Sequence, residues 1–427
     1  MCGIAGILRS DDQRVDPARL EAMNAAQAHR GPDGSGTWVD GGIGFGHRRL
    51  AIIGLGEQGH QPMASRDECV WLTYNGEIYN YRELRGELEA NGAVFRTETD
   101  TEVIIHAWRR WGTACVERFR GMFAFALADL DRRELFLARD RFGIKPLVYR
   151  QQDGWFAFAS ELPALEAADD RSMDIDLAGV DDFLRFKYIP APRTIWQQAK
   201  KLPAGHRALI SFEDVGRPVE PERWWDWRQE PSTGSEDEST WVDRLEEVFT
   251  DSVKAHLVAD VDFGVFLSGG VDSTLVAWKM SELLDRPVKA FAIGFEEEDL
   301  DELPWARQAA GALGVELVEQ VVTADAADHL PQIVAQYGEP FADASALPTW
   351  HLARLAREHV PMVLSGDGGD ELFGGYHRYA AWRQVSAMTE VAGIYGSPLH
   401  VMERLALAGQ WLLHPAAARR TKWQRMV

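Results

Sequence analysis

A cysteine stands at position 2, directly behind Met1 and ahead of the apolar run Gly3-Ile4-Ala5-Gly6-Ile7-Leu8. Once Met1 is removed, a thiol there carries its own base, because the freed α-amino group belongs to the same residue. That amine has a reference pKa near ~8, close enough to neutrality to exchange protons with a thiol. A nucleophile of this kind needs donors for an oxyanion, a clamp for a carboxylate and a partner for an amine. The chain offers all three. Asn75 and Gly76, in YNGEIYN, follow the apolar run CVWLTY. The pattern places them where a strand gives way to a turn, and a side-chain amide beside a backbone N–H suits an oxyanion. Arg49, in GHRRLAI, brings a two-pronged guanidinium fit for a carboxylate. Asp100, in TETDTE, is placed to receive an ammonium.

A second group of chemically useful residues lies beyond position 260. Ser268-Gly269-Gly270-Val271-Asp272-Ser273 follows the short apolar run GVFL and opens a helix-forming stretch. Backbone N–H groups of a glycine-rich turn at a helix N-terminus form an anion cradle. The turn is not a Walker A loop, because G-x-x-x-x-G-K-[ST] is absent. A further turn, Ser365-Gly366-Asp367-Gly368-Gly369-Asp370-Glu371, follows VPMVL and supplies carboxylates. Such hard oxygen ligands suit a Mg²⁺ ion bridging phosphates.

The elements that must hold these residues fall into two regimes. Up to about residue 210 the chain reads as short strands, among them GIAGIL, GIGFGHRRLAII, CVWLTYNG, MFAFALAD, ELFLARD and WFAFASE, punctuated by RGPDGSG and GLGEQG. Two segments carry helical spacing: Pro17 to Gln27, and Asp100 to Trp111, where Val103, Ile104, Ala107 and Trp108 share a face. Helices on a largely antiparallel sheet predict an α+β domain. From 211 to 240 the chain turns polar, with Pro218, Pro221 and QEPSTGSEDEST, and reads as a linker. After 241 the rhythm becomes helix (WVDRLEEVFTDSVKAHL), strand (GVFL), turn, helix (TLVAWKMSELL), strand (VKAFAIGF), helix (WARQAAGALG). That alternation predicts an α/β domain with a parallel sheet covered on both faces.

Composition narrows the classes. Acidic residues outnumber basic ones 66 to 45, a formal charge of −21, which argues against nucleic acid as a partner. Cys2, Cys69 and Cys115 lack both the number for a disulfide framework and the spacing for zinc. No run approaches the ~20 apolar residues of a membrane span, so a membrane partner is not expected and a cytoplasmic location is.

Taken in order, MCGIAGI, HRGPDGSG, GHRRLAI, YNGEIYNYREL, TETDTEV, GMFAFALAD and RDRFGIKPL resemble the class II glutamine amidotransferase domain, an N-terminal-nucleophile hydrolase, over roughly residues 2 to 210. The resemblance implies an α/β/β/α sandwich in which Cys2 attacks the glutamine side-chain amide. It implies that Asn75 and Gly76 stabilise the oxyanion, that Arg49, with Leu50 and Ile52 beside it, binds the glutamine carboxylate, and that Asp100, helped by Glu77, binds the amine. SGGVDS resembles the pyrophosphate loop of ATP pyrophosphatases. GEPFADASALPTWHLARLAREHVPMVLSGDGGDELFGGYHRY, at its distance from SGGVDS, resembles the synthetase domain of glutamine-dependent asparagine synthetases. By that resemblance Ser268, Gly269, Gly270, Asp272, Ser273 and Ser365 hold ATP, while Leu267, Ile293 and Gly366 form the adenine pocket. Asp343, Ser345 and Asp367 face the acceptor, and Asp272 with Asp370 binds Mg²⁺.

Together the resemblances imply that aspartate's β-carboxylate is activated as an acyl adenylate, that glutamine supplies ammonia through an internal route, and that a homodimer is allowed. Two departures qualify this. Asp367 stands where many asparagine synthetases carry Glu, and the family usually continues well past the position of Val427, with a motif like LE-x-R-x-PFLD and a later lysine, neither found here. The expectation is a fragment or a truncated product with an incomplete synthetase half. Amidation of another carboxylate, on a cell-surface polysaccharide or a secondary metabolite, and a glutaminase-only protein stay open.

Overall fold

Alternation of side chains along the strands builds two sheets that face each other. The computed structural model describes residues 1–10, 13–152, 154–228, 237–296, 301–323 and 328–383. Its strands are β1 (Gly3–Arg9), β2 (Gly34–Asp40), β3 (Ile43–Arg49), β4 (Met63–Ala64), β5 (Val70–Ile78), β6 (Gly121–Asp129), β7 (Glu134–Arg139), β8 (Val148–Gln152), β9 (Trp155–Ala159), β10 (Ala199–Lys201), β11 (His206–Ser211) and β12 (Glu222–Arg223) in the first half. The second half has β13 (Phe263–Phe266), β14 (Lys289–Phe295), β15 (Glu316–Val322) and β16 (Met362–Leu364). The helices are α1 (Pro17–Ala26), α2 (Tyr81–Ala90), α3 (Asp100–Trp111), α4 (Cys115–Arg118), α5 (Leu162–Glu166), α6 (Leu177–Phe186), α7 (Glu238–His256), α8 (Val271–Leu283), α9 (Leu303–Leu313), α10 (Leu330–Tyr337), α11 (Ala346–Arg357) and α12 (Gly369–Phe373).

One six-stranded sheet runs β10-β8-β9-β1-β3-β2 and the other β12-β11-β7-β6-β5-β4. Odd and even positions of each strand sort into different cores. On β6, Ala124, Ala126 and Ala128 meet Ile4, Leu8, Phe45, Phe156 and Phe158 of the opposite sheet. Phe123, Phe125 and Leu127 point the other way, into a cluster with Leu84 and Leu88 of α2 and Val103, Ile104 and Trp108 of α3. Ala5 and Ile7 of β1, on its other face, pack with Leu20 and Met23 of α1 and Leu162 of α5. Helices thus cover the outer face of each sheet. The small alanines of β6 leave room for the phenylalanine rings facing them.

The second half forms a parallel sheet, β15-β14-β13-β16. Val253 of α7, Val276 and Met280 of α8 and Ala310 of α9 pack with Val265 and Ala290. Leu355 and Ala356 of α11 pack with Phe291. Among the described residues no helix is long and apolar enough to cross a membrane.

Three sequence readings change. Asn75 and Gly76 do not sit at a turn: β5 continues to Ile78, with Asn75 opposite Ala124 and Gly76 opposite Phe123. The glycine is there because β6 comes close; a Cβ would collide with the Met122 carbonyl. The stretch 211–240 contributes β12, which pairs with β11 and extends the second sheet, while residues 229–236 of it lie outside the described residues. Helices α2, α4, α5, α6, α10, α11 and α12 and strand β15 join the elements read from periodicity. The end of the second half, residues 384–427, also lies outside the described residues.

Candidate active sites

The first site collects at the beginning of β1. The Leu50 N–H donates to Cys2 Sγ at 3.4 Å, and the thiol lies 3.6 Å from the Leu50 carbonyl. The Cys2 carbonyl accepts from Arg30 Nε at 2.8 Å, and Arg30 is itself anchored to Glu161 at 2.6 Å. Burial pushes the thiol pKa up, against the Leu50 hydrogen bond and the charges of the chain's amine, Lys145 and Arg49. Burial lowers the α-amine of Met1, the residue before Cys2, to about 5. Along one face of β5, Thr73 Oγ1 donates to the Gly46 carbonyl at 3.1 Å, and Glu77 lies in the field of the chain's amine and Lys145. Asn75 lies between them on that face. Its amide Nδ2 is buried without a hydrogen-bond partner. An orphan donor of this kind costs about 1–3 kcal/mol unless a ligand accepts from it.

Glu77 is raised to about 7 by burial and then by Asp100, against the pull of Lys145 and the amine. Asp100 opens α3 on the other side of β5, where its Oδ2 accepts from Tyr74 Oη at 2.8 Å and from the Ile78 N–H at 3.0 Å. Burial raises its pKa. Arg49 sits at the end of β3 and donates to the carbonyls of Gly56 at 2.9 Å, Ile53 at 3.3 Å and Gly54. Those bonds bind the guanidinium to the loop that follows Leu50 and Ile52.

The second site lies where the parallel sheet changes direction. From β13 the chain moves to β14 and β15 on one side, then returns to β16 on the other, so the switch point falls between β13 and β16. In open α/β sheets the crevice at the carboxyl ends of such a strand pair is where ligands bind. Ser268–Ser273 follows β13 and Ser365–Glu371 follows β16. Gly269 has φ +81°, and a Cβ there would lie 2.6 Å from the Trp305 Cβ, so the turn requires glycine. Gly270 caps α8. The hydroxyls of Ser268 and Ser273 bond each other at 3.0 Å, and Ser273 Oγ donates to the Gly270 carbonyl at 3.2 Å, which shapes the loop. The two loops touch: a Cβ on Gly366 would lie 2.9 Å from the Ser273 nitrogen, and one on Gly369 would strike the Asp272 carboxylate. A glycine-rich turn at the N-terminus of α8 is a backbone arrangement that suits a phosphate chain. Asp272 and Asp370 supply hard oxygen donors. Among the described residues no three His, Cys, Asp or Glu side chains gather as a metal cage, and Mg²⁺ held mainly by phosphates needs only one or two carboxylates. Leu267 is turned into the core behind the loop, and Ile293 is half-buried beside Phe291. Asp343 Oδ1 accepts from Ser345 N at 2.8 Å and Ser345 Oγ at 2.7 Å, bonds that lower its pKa and start α11. Ser365 Oγ donates to Asp367 at 2.8 Å.

Residues 1–225 match the model of the glutamine amidotransferase domain, and residues 244–426 match that of asparagine synthase. Glutamine-hydrolysing asparagine synthetase 1 of Bacillus subtilis is 37% identical over 393 residues, which cover 89% of this chain and 59% of that protein. A protein of Methanocaldococcus jannaschii whose name places it in the same synthetase group is 33% identical over 442 residues, covering 97% of this chain and 84% of its own length. The chain belongs to the glutamine-hydrolysing asparagine synthetase family. It spans about three-fifths of the length of the Bacillus relative.

Within this synthetase family chain, the structure brings Cys2, Leu50, Asn75, Glu77 and Arg49 into one neighbourhood and sets Asp100 behind β5. It sets Ser268–Ser273 against Gly366 and Gly369 at a separate crevice, while the Asp370 carboxylate lies against Gly375. Sequence reasoning passed over Lys145, a buried lysine whose pKa burial lowers and whose charge acts on Glu77 and Cys2. It is positioned by Asp140, whose carboxylate accepts from the backbone N–H groups of Phe123 at 3.2 Å, Phe142 at 3.1 Å, Ile144 at 3.0 Å and Lys145 at 3.0 Å. Nothing in RDRFGIKPL marks Lys145 for burial, and Arg30, in the turn RGPDGSG, owes its place to Glu161, 131 residues away.

Proposed function

We propose that this chain is an asparagine synthetase that draws its nitrogen from glutamine. The observation that carries the reading is the half-buried Cys2 thiol, held by the Leu50 main chain, with the unpartnered Asn75 amide on the strand face that leads to Glu77. In the chain lacking Met1, the Cys2 amine takes the thiol proton, and the sulfur attacks the glutamine side-chain carbonyl. Asn75 Nδ2 and the Gly76 N–H stabilise the oxyanion, which supplies a partner for the orphan donor. Arg49 holds the carboxylate, and Glu77 and Asp100 hold the ammonium. Ammonia leaves, and water releases glutamate from the enzyme thioester.

At the second crevice, ATP supplies the adenylate that turns aspartate's β-carboxylate into a good acyl electrophile. The loop Ser268–Ser273 and the N-terminus of α8 would hold the pyrophosphate, Asp272 and Asp370 would hold a Mg²⁺ ion that offsets phosphate charge, and Asp343, Ser345 and Asp367 would line the acceptor side. Ammonia then displaces AMP. The N-terminal-nucleophile architecture, the domain limits 1–210 and 241–427, and a homodimer belong to the same reading. Mass spectrometry with amide-labelled glutamine, aspartate and Mg-ATP tests it, following glutamate, labelled asparagine and AMP together. Equal amounts of the three are expected. Glutamate alone would restrict the activity to the first site, and AMP formed only with a different carboxylate would change the acceptor.

A further inference from the structure

The loop that binds Arg49 is fastened from the other half of the chain. Asp260, between α7 and β13, accepts the Gly54 N–H on its Oδ2 at 2.7 Å and donates its own N–H to the Ile52 carbonyl at 2.9 Å. Gly54 has φ +67°, and its Cα faces Thr99, the residue before Asp100; a Cβ there would lie 2.7 Å from Thr99 Cγ2. Ile53, Gly54 and Gly56 are the residues whose carbonyls fix the Arg49 guanidinium. The neighbouring residues reinforce the seam. The His256 ring lies 4.2 Å from the Tyr79 ring, and Val258 packs on the cluster that holds α3.

We propose that Asp260 is a positioning residue for glutamine recognition: from the nucleotide half it clamps the Ile52–Gly56 loop in the conformation that aims Arg49 at the substrate carboxylate. The proposal rests on the assignment of glutamine to the first site. The path is short. Asp260 lies three residues before β13, and β13 ends at the Ser268–Ser273 cradle, so one rigid central strand joins the phosphate loop to the clamp. Because the Asp260 carboxylate touches no reacting group, it sets where Arg49 stands and takes no part in bond making.

Three proteins test this: the wild-type chain, Asp260→Ala, which keeps the main-chain bond to Ile52 and loses the bond to Gly54, and Asp260→Asn, which keeps an acceptor for Gly54. Asp260→Ala should raise the KM for glutamine about tenfold, the size of one lost charge-assisted hydrogen bond. The kcat of glutamate formation should stay within about twofold, as should ammonia-supported AMP formation. Asp260→Asn should restore most of the KM. Hydrogen exchange provides a readout independent of turnover: the Gly54 amide should be protected in the wild type and in Asp260→Asn, and exchange faster in Asp260→Ala. An unchanged KM in Asp260→Ala, equal defects in both variants, or Gly54 exchange indifferent to the substitution would each overturn the clamp. A wild-type chain with no glutaminase activity would instead remove the functional assignment, while the exchange experiment would still decide whether the clamp exists.

Discussion

The candidate site in the first half of the molecule is the drier, with Asn75 and Asp100 buried and Cys2, Arg49 and Glu77 half-buried, and that in the second is the wetter. Burial raises the Glu77 pKa to about 7. Asp343, Ser345 and Asp367 face solvent, and Ser268 stands exposed at the mouth of its loop. Acid–base chemistry on an amide benefits from groups whose pKa values the protein has already displaced. Phosphate chemistry brings its own charge, so the protein need only offer a shaped backbone cradle and a few carboxylates. The difference teaches that the first site is prebuilt by packing, while the second is built to be completed by what binds there.

If that division is right, the two sites fail independently. Cys2→Ala should reduce glutamine-dependent synthesis by about 10⁴-fold or more, because the nucleophile and its base act as a unit. Synthesis supported by ammonium salts should persist near the wild-type rate. Loss of both in one variant would break the separation. Asp272→Asn should show the mirror image, with AMP formation down about a thousandfold from weakened metal stabilisation of the transferred charge, and glutamate formation intact. Normal AMP formation in that variant would remove Asp272 from the crevice.

The same contrast explains what could be read in advance. Local patterns announced β1, α1, α3, α7 and the two glycine turns, because capping, amphipathic spacing and turn chemistry act over a few residues. The covering of both faces of the parallel sheet was legible for the same reason. Asn75-Gly76 misled, since Asn-Gly is a turn signal by local propensity, whereas here the pairing of β5 with β6 carries the strand through it. Lys145 and Asp260 were invisible as site residues. Lys145 owes its place to the Asp140 hub and to burial, and Asp260 owes its place to a contact 206 residues back in the chain. Neither cause leaves a periodicity behind. Polar composition suggested a linker from 211, yet two residues of it complete a sheet edge, because edge strands tolerate charged side chains.

A sharper probe of the drier site is Asn75→Ala. Removing one oxyanion donor should lower kcat for glutamate formation by about 10²–10³-fold. The substitution deletes a buried donor that the free protein leaves unpaired, so thermal stability should fall far less than in Leu72→Ala, a core truncation on the same strand expected to cost about 2–5 kcal/mol. Kinetic loss without matching thermal loss is the signature of a group kept for the reaction. Equal losses in both measurements would make Asn75 a structural residue.

The smallest expected effect is also the most specific to burial. Glu77, with its pKa raised to about 7, is mostly neutral below that pH and charged above it. If its charge helps hold the glutamine ammonium, the KM for glutamine should fall as pH rises from about 6 to about 8, by up to roughly tenfold, the range over which a group titrating near 7 completes its change. The substrate ammonium stays protonated in this interval and contributes no slope of its own. Glu77→Gln should therefore flatten the profile at the weaker, low-pH value of KM, while the solvent-facing second site gives AMP formation from ammonium salts no matching dependence on Glu77. A profile that keeps its slope in Glu77→Gln would mean that another group titrates, and the drier site would lose its claim to a burial-tuned carboxylate.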